Sequence, residues 1–320
     1  MRLNDPGWKK QRAKGIEFLQ SDPLEKIPWL VHAFTTRIGF TKWDTPRAVV
    51  DYRARLAAAL GAAEMPLATL RQVHSDVAHI VCAPPAVDRA GSPPAIRAAS
   101  PPPATDAAIT RDSGVLLTVQ TADCVPILLA DTRQRIVAAV HAGWRGTLAR
   151  IAVKTLGRMQ QEFGTRPQDV VAALGPAIGR CCYEVGPEVA QQFAAKFGDA
   201  ADWFDGPFAP QAEGEAQHWL PWLTMMPPGH QPEAERARLD LRASNRAQLL
   251  EAGVSPKNIA VSALCTRCRA DLFFSYRRDG AGTGRLMALI GIRESAIRRA
   301  AARAKSAKSK PARKTKRAIR

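Results

Sequence analysis

The chain lacks any apolar run longer than a buried strand, so it offers no candidate for a membrane-spanning helix. Its opening, MRLNDPGWKKQRAKG, has no apolar stretch of signal-peptide length. A cytoplasmic protein without membrane contact is therefore expected. Cysteine is scarce: Cys82, Cys124, Cys181, Cys182, Cys265 and Cys268 are irregularly spaced, and the adjacent pair suits no disulfide framework, which points to a reducing compartment. There is no P-loop, no G-x-G-x-x-G fingerprint and no internal repeat, which argues against nucleotide-binding folds of those two kinds.

Acidic residues are also in deficit, with 46 Lys and Arg against 29 Asp and Glu, a net charge of +17. The excess is uneven: residues 293–320 contribute +11 and the rest only +6. The terminal ARAKSAKSKPARKTKRAIR has almost no large apolar side chains and cannot offset its ordering entropy, so a disordered basic tail over 293–320 is expected. Such a tail attracts polyanions without sequence preference.

Between an N-terminal extension (1–27) and this tail, residues 28–292 read as one α+β domain: a layered fold of central mixed β-sheets flanked by helices. Residues 8–19 suggest a short helix, PWLVHAFTTR (28–37) a strand, and VVDYRARLAAALG (49–61) a helix closed by Gly61. Seven prolines in 83–104 mark an exposed loop. Residues 106–143 alternate β-rich runs with turns and form the sheet core. Leu148, Ile151, Ala152, Thr155, Leu156, Met159 and Phe163 then recur at offsets of three and four, so a helix carries the chain from just after His141 into a βαβ unit through VVAALGP (170–176). Helices at 187–197 and 243–254 and strands at 258–264 and 286–292 follow, with a Trp- and Pro-rich insertion over 198–238.

What the chain does have is soft, metal-competent side chains at the ends of three β-like runs. His74 closes LRQVH, Cys124 closes TVQTADC, and His141 sits in IVAAVHAGWRG. Imidazole and thiolate are preferred ligands of Zn²⁺, and three protein ligands leave a fourth position for water or substrate. Pro126, Gly143 and Gly146 are costly inside a strand but suit a turn that must come close to a ligand. A lone buried cysteine is equally compatible with packing. CTRC (265–268) has the spacing of half a zinc ribbon without a second C-x-x-C, and Cys181 and Cys182 read as packing residues. His79 faces away from His74, and His32 reads as a core histidine.

RQVH, TADCVP, AVHAGWRG, LGPAIGRCCYEVG and the late CT, FFSYRRDG and GR together resemble the signature blocks of the YfiH-type laccase-domain (polyphenol oxidase) family, also described as purine nucleoside phosphorylases. The blocks occur in the family's order from about His32 to Ile292. The resemblance implies that His74, Cys124 and His141 hold Zn²⁺, and that purine nucleosides are phosphorolysed with phosphate, with adenosine deamination beside it. Asp123 would pass a proton to the departing base. Arg37, Arg145 and Arg277 would bind phosphate through guanidinium forks, while Phe273, Phe274 and Tyr276 read either as a stacking surface for a purine or, from their alternation, as core. The segment IGFTKWDTPRAVVDYRARL departs from the family pattern, with Tyr52 where an asparagine is expected.

Three other readings stay open. Cys124 with His141 or His74 suits a cysteine hydrolase, and the resemblance extends to an editing role on peptidoglycan precursors. Copper-dependent phenol oxidation would need more than the six histidines present, or an axial methionine. A nucleic-acid binder driven by the tail would leave the metal blocks unexplained.

Overall fold

A computed structural model describes residues 5–40, 46–82, 102–206 and 236–293. The expectations for most of the proline-rich loop, for 207–235 of the insertion and for nearly all of the basic tail fall outside these residues. In chain order the first half runs β1 (Trp8–Ala13), β2 (Ile16–Ser21), α1 (Asp22–Glu25), β3 (Leu30–Thr35), α2 (Pro46–Ala59), β4 (Leu67–Ala68), β5 (Ala78–Ile80), β6 (Ala107–Thr110), β7 (Leu116–Thr121), β8 (Val125–Asp131) and β9 (Ile136–Ala142). The second runs α3 (Trp144–Leu148), α4 (Ile151–Phe163), β10 (Val170–Leu174), β11 (Glu184–Val185), α5 (Pro187–Lys196), β12 (Phe204–Asp205), β13 (Ala237–Leu239), α6 (Leu241–Glu251), β14 (Ile259–Val261), α7 (Tyr276–Asp279) and β15 (Leu286–Ile292).

Two six-stranded mixed sheets, β1-β2-β3-β15-β7-β4 and β14-β10-β8-β9-β6-β5, pack face to face between helices. The reason lies in side-chain parity. Successive residues of a strand point to opposite faces, so a strand buried on both sides shows a continuous apolar run. In β15, Met287 and Leu289 pack with Tyr52 and Leu56 of α2, whereas Ala288 and Ile290 join Leu117 and Val119 in the layer between the sheets. In β8, Leu128 and Ala130 face that same central layer, while Ile127 and Leu129 face Ile151, Leu156 and Met159 of α4. LMALIGI and VPILLAD are thus strands shared by two cores. Tyr52 is one of these core side chains, 1% exposed and against the Phe40 ring at 4.4 Å.

The connections mostly follow the sequence pattern. β9 and β10 both run antiparallel to β8, so the βαβ unit crosses over the strand between its two members. Three expectations need correction. Residues 8–19 form no helix: β1 and β2 pair antiparallel from Trp8–Ser21 to Ala13–Ile16. Lys14 and Gly15 connect them with φ of 53° and 73°, the positive pair that a two-residue hairpin turn requires. The helix after His141 is broken into α3 and α4 by Arg150 at φ 62°. LRQVH is a loop rather than a strand end, since β4 stops at Ala68.

His32 is the core histidine expected of it, 1% exposed in β3, and its Nε2 accepts the Ser21 backbone N–H at 3.0 Å. Burial holds its pKa down at about 4 against an ordinary 6.5. Between these values the unfolded chain takes up a proton that the folded one refuses, so stability is full above about 6.5 and falls towards pH 4, by up to about 1.4 kcal/mol per pH unit. Urea midpoints of wild type and His32→Gln compared across this range should converge as pH falls; parallel curves would refute the linkage.

Candidate active site

The β8–β9 hairpin register places Val125 opposite Ala142 and Pro126 opposite His141, which brings Cys124 to the end of β9. β6 pairs with β9 from Ala107–Val140, so Asp106 lies beside His141, and its carbonyl accepts the His141 N–H at 2.8 Å. The Asp106 carboxylate then does two things. Oδ1 meets His141 Nδ1 at 2.8 Å, and the two oxygens accept the backbone N–H groups of Val73, His74 and Ser75 at 3.1, 3.0 and 2.6 Å, with the Ser75 hydroxyl at 2.8 Å. One buried carboxylate therefore fixes the imidazole of one histidine and the loop that carries the other. Sequence reasoning missed Asp106, because an aspartate before a strand reads as a turn residue.

The ligand atoms of His74, Cys124 and His141 lie within 4.8 Å of one another. With Nδ1 of His141 bound to Asp106, Nε2 is left for a metal, the arrangement that orients histidine ligands generally. Burial pushes the Cys124 thiol up, but the charge and hydrogen bond of His141, helped by His74, outweigh it and bring its pKa to about 6. Burial works against protonation of His141, yet Cys124 and Asp106 raise it to about 9. Burial likewise opposes ionisation of Asp106, while His141 and the Ser75 donors hold its carboxyl far below the usual carboxylate range. One thiolate and two imidazoles with an open fourth side fit Zn²⁺.

Backbone strain occurs at the cluster, at His74 itself and at the residue before Cys124. His74 has φ 60° and Asp123 φ 91°, conformations that non-glycine residues seldom adopt. Asp123 is fixed there by Thr266 Oγ1 at 2.5 Å, Ser275 Oγ at 3.0 Å and the Arg277 N–H at 2.7 Å, while its own carbonyl accepts from Ile178. Gly143 caps α3 at an ordinary φ of −76°, so its lack of a side chain serves to clear space for the cluster: a Cβ would stand 3.0 Å from both Cys124 Sγ and His74 Cδ2. Gly143→Ala should accordingly lower metal affinity by about 10- to 100-fold with little change in the thermal midpoint. Competition against a chelator reads it, and unchanged affinity would refute this crowding.

Beside this cluster opens a cleft of about 610 Å³ lined by Trp144, Tyr183, Glu184, Glu188, Arg236 and Arg277 among others. Trp144 follows Gly143 directly, and the guanidinium of Arg277 lies over the Tyr183 ring at 5.2 Å while donating to the Glu184 carbonyl. Burial, then Cys124, push the Tyr183 hydroxyl above its ordinary pKa, with Arg277 and Arg145 acting the other way. Arg145 is exposed and stacks on Trp144 at 4.4 Å. Arg37 instead donates to the Ala270 carbonyl and stacks on Phe274. Of the aromatics expected to stack on a purine, Phe273 is wholly buried in the core, Phe274 packs against Phe40 and Arg37, and Tyr276 is 53% exposed. The cleft aromatics are Trp144 and Tyr183. His79 lies outside the cluster, paired with Ala108 in β5.

The profile of a family described as multi-copper polyphenol oxidoreductase laccase matches residues 33–293. A purine nucleoside phosphorylase of Deinococcus radiodurans is 38% identical over 284 residues, 84% of this chain and 93% of its own. Adenosine deaminase RL5, from an unknown prokaryotic organism, is 36% identical over 76% of this chain and 81% of its own. The crystal structure of YlmD from Geobacillus stearothermophilus superposes with a TM-score of 0.67 at 30% identity, covering 89% of this chain and 98% of that one. Profile, relatives and architecture agree with the motif blocks, and the chain belongs to the YfiH-type, multi-copper polyphenol oxidoreductase laccase family.

Proposed function

We propose that the protein is a zinc-dependent purine nucleoside phosphorylase with an adenosine deaminase side activity, which takes adenosine, inosine or methylthioadenosine with phosphate to the free base and a ribose 1-phosphate. The observation that carries this reading is the His74, Cys124 and His141 donor set beside a cleft lined by Trp144 and Tyr183 together with the guanidinium groups of Arg236 and Arg277. The names of the relatives in Deinococcus radiodurans and of RL5 support both activities. Among the described residues this cluster joins only two histidines to one cysteine, which favours a single ion over a multi-copper centre and leaves copper the weaker candidate.

Zn²⁺ bound there would supply Lewis acidity and positive charge. The chain's own residues supply positioning. Asp106 holds the His141 proton at Nδ1 and so fixes the tautomer that ligates. Arg277 in the cleft wall and Arg145, stacked on the lining residue Trp144, balance phosphate charge, with Arg37 a more distant contributor through the 270–274 loop. Asp123, whose oxygens are occupied by Thr266, Ser275 and Arg277, anchors the Arg277 loop against Cys124 in place of delivering a proton to the departing base. We further assign the protein to the cytoplasm, and to the basic tail a non-specific attraction for polyanions.

A second reading has its own observation. Cys124, His141 and Asp106 form the thiol–imidazole–carboxylate chain of a cysteine hydrolase, such as one editing peptidoglycan precursors. Incubating the zinc-loaded full chain with adenosine or inosine, with and without phosphate, separates the two. Ribose 1-phosphate is expected only with phosphate, and inosine from adenosine without it. Absence of nucleoside turnover would end the first reading, and turnover that survives complete chelation would transfer the chemistry to the Cys124–His141 pair.

A further inference from the structure

C-x-x-C at 265–268 finds its missing partners in space. A parallel bridge pairs Ala177 with Cys265, and Thr266 N–H donates to the Ala177 carbonyl at 3.0 Å, so the two segments run side by side. Cys181 and Cys182 thereby come against Cys268, with sulfur–sulfur separations of 3.6 and 3.3 Å, and the sulfurs of all four residues lie within 4.8 Å of one another. All four are free thiols. Packing therefore does not account for Cys181 and Cys182: Cys181 and Cys268 are exposed and Cys182 only half-buried.

We propose that Cys181, Cys182, Cys265 and Cys268 form a second metal site, which takes one Zn²⁺ as a tetrathiolate. Zinc–sulfur bonds of about 2.3 Å in a tetrahedron separate sulfurs by about 3.8 Å, which falls within the spread present here. The surroundings are those of a thiolate cage. The Gly179 N–H donates to Cys265 Sγ at 3.2 Å. Charge points the same way. Arg242 is 8% exposed, and its guanidinium donates to the carbonyls of Ser262 and Leu264; among the described residues no carboxylate pairs with it. A buried cation requires a counter-charge. Arg242 Nη2 and Cys181 Sγ lie 3.0 and 3.2 Å from the point where a side chain on Gly179 would begin, so a zinc tetrathiolate, with its net negative charge, would stand beside it.

The site would clamp two segments that serve the catalytic side. Ile178 and Thr266 both bond to Asp123, the neighbour of Cys124, and Arg278 donates to the carbonyls of Thr266 and Arg267. The clamp is independent of the nucleoside reading, because it concerns different ligands and is read by metal content. Full-length protein purified with Zn²⁺ present should carry two zinc ions per chain, Cys124→Ala one, and the doubly substituted Cys181→Ser/Cys268→Ser one. Both substituted positions are exposed, so the variant should fold, and its circular dichroism checks this. Cys124→Ala loaded with Co²⁺ should give strong sulfur-to-metal charge-transfer absorption, lost when Cys181 and Cys268 are also replaced. A zinc-free Cys124→Ala protein, or intact masses two hydrogens short with no metal at the four cysteines, would overturn the assignment. Failure of nucleoside turnover alone would leave these counts unchanged.

Discussion

Cys124→Ala is expected to lose one zinc ion per chain and all measurable nucleoside turnover at once. The substitution removes the only thiolate of the His74, Cys124 and His141 set, and it also leaves the His141 imidazole without the charge that most strongly raises its pKa against burial. Two imidazoles alone hold Zn²⁺ poorly, so turnover should fall by at least about 1,000-fold, roughly 4 kcal/mol of transition-state stabilisation. His79→Ala, altering an exposed histidine on β5, should change neither quantity. Metal content by mass spectrometry and ribose 1-phosphate release, measured on the same preparations, check the coupling. A Cys124→Ala protein with the wild-type zinc count and no activity would show that the thiol acts chemically without ligating.

Asp106→Asn should be the most damaging change at a position that touches neither metal nor substrate. Asp106 is wholly buried and gathers the N–H groups of three consecutive residues, one hydroxyl and one imidazole. An amide can accept at one end only, so it would confront donors with a donor and would leave His141 without its counter-charge. Breaking one partner of a buried pair costs about 3–5 kcal/mol, and losing an outer partner of a histidine ligand costs about 10- to 100-fold in metal affinity. The pH dependence has a definite sign. Because the folded carboxyl titrates below its unfolded value, its contribution is present above about pH 4 and is lost as the solution becomes more acid. Denaturant midpoints of apo and zinc-loaded variants at neutral pH would read both effects. Wild-type values in each would show that the loop of His74 is held by something else.

The difference between Cys124 and Asp106 marks what was legible in the sequence. His74, Cys124 and His141 announce themselves through side-chain chemistry at places where apolar patterning stops. Asp106 matters only through partners more than thirty residues away, and local patterning carries no trace of them. The same distinction runs through the fold. The double-faced strands β8, β9 and β15 stand out as long apolar runs because both faces are buried. WKKQRAKGIEFLQS resists reading because its outer strand is polar at four successive positions, Lys9 to Arg12, and so lacks the alternation that marks a strand; only Lys14-Gly15 betrays the turn. The break at Arg150 has neither glycine nor proline to signal it. The four clustered cysteines were hidden because two adjacent residues look nothing like half a zinc ribbon until the Ala177–Cys265 bridge sets them across from one.

β15 lies between β3 and β7 in the first sheet and pairs antiparallel with both. During synthesis from the N-terminus, the strands on either side of it are made long before it is. Until Leu286–Ile292 leaves the ribosome, β3 and β7 each present an unsatisfied edge, and α2 and the central layer each lack half of one wall. The nascent chain is therefore expected to expose these edges until late in synthesis, and final assembly of the first sheet to wait on a strand paired far along the sequence. Chaperone dependence on expression, and relief of that dependence by slower synthesis at low temperature, follow from where this one strand sits.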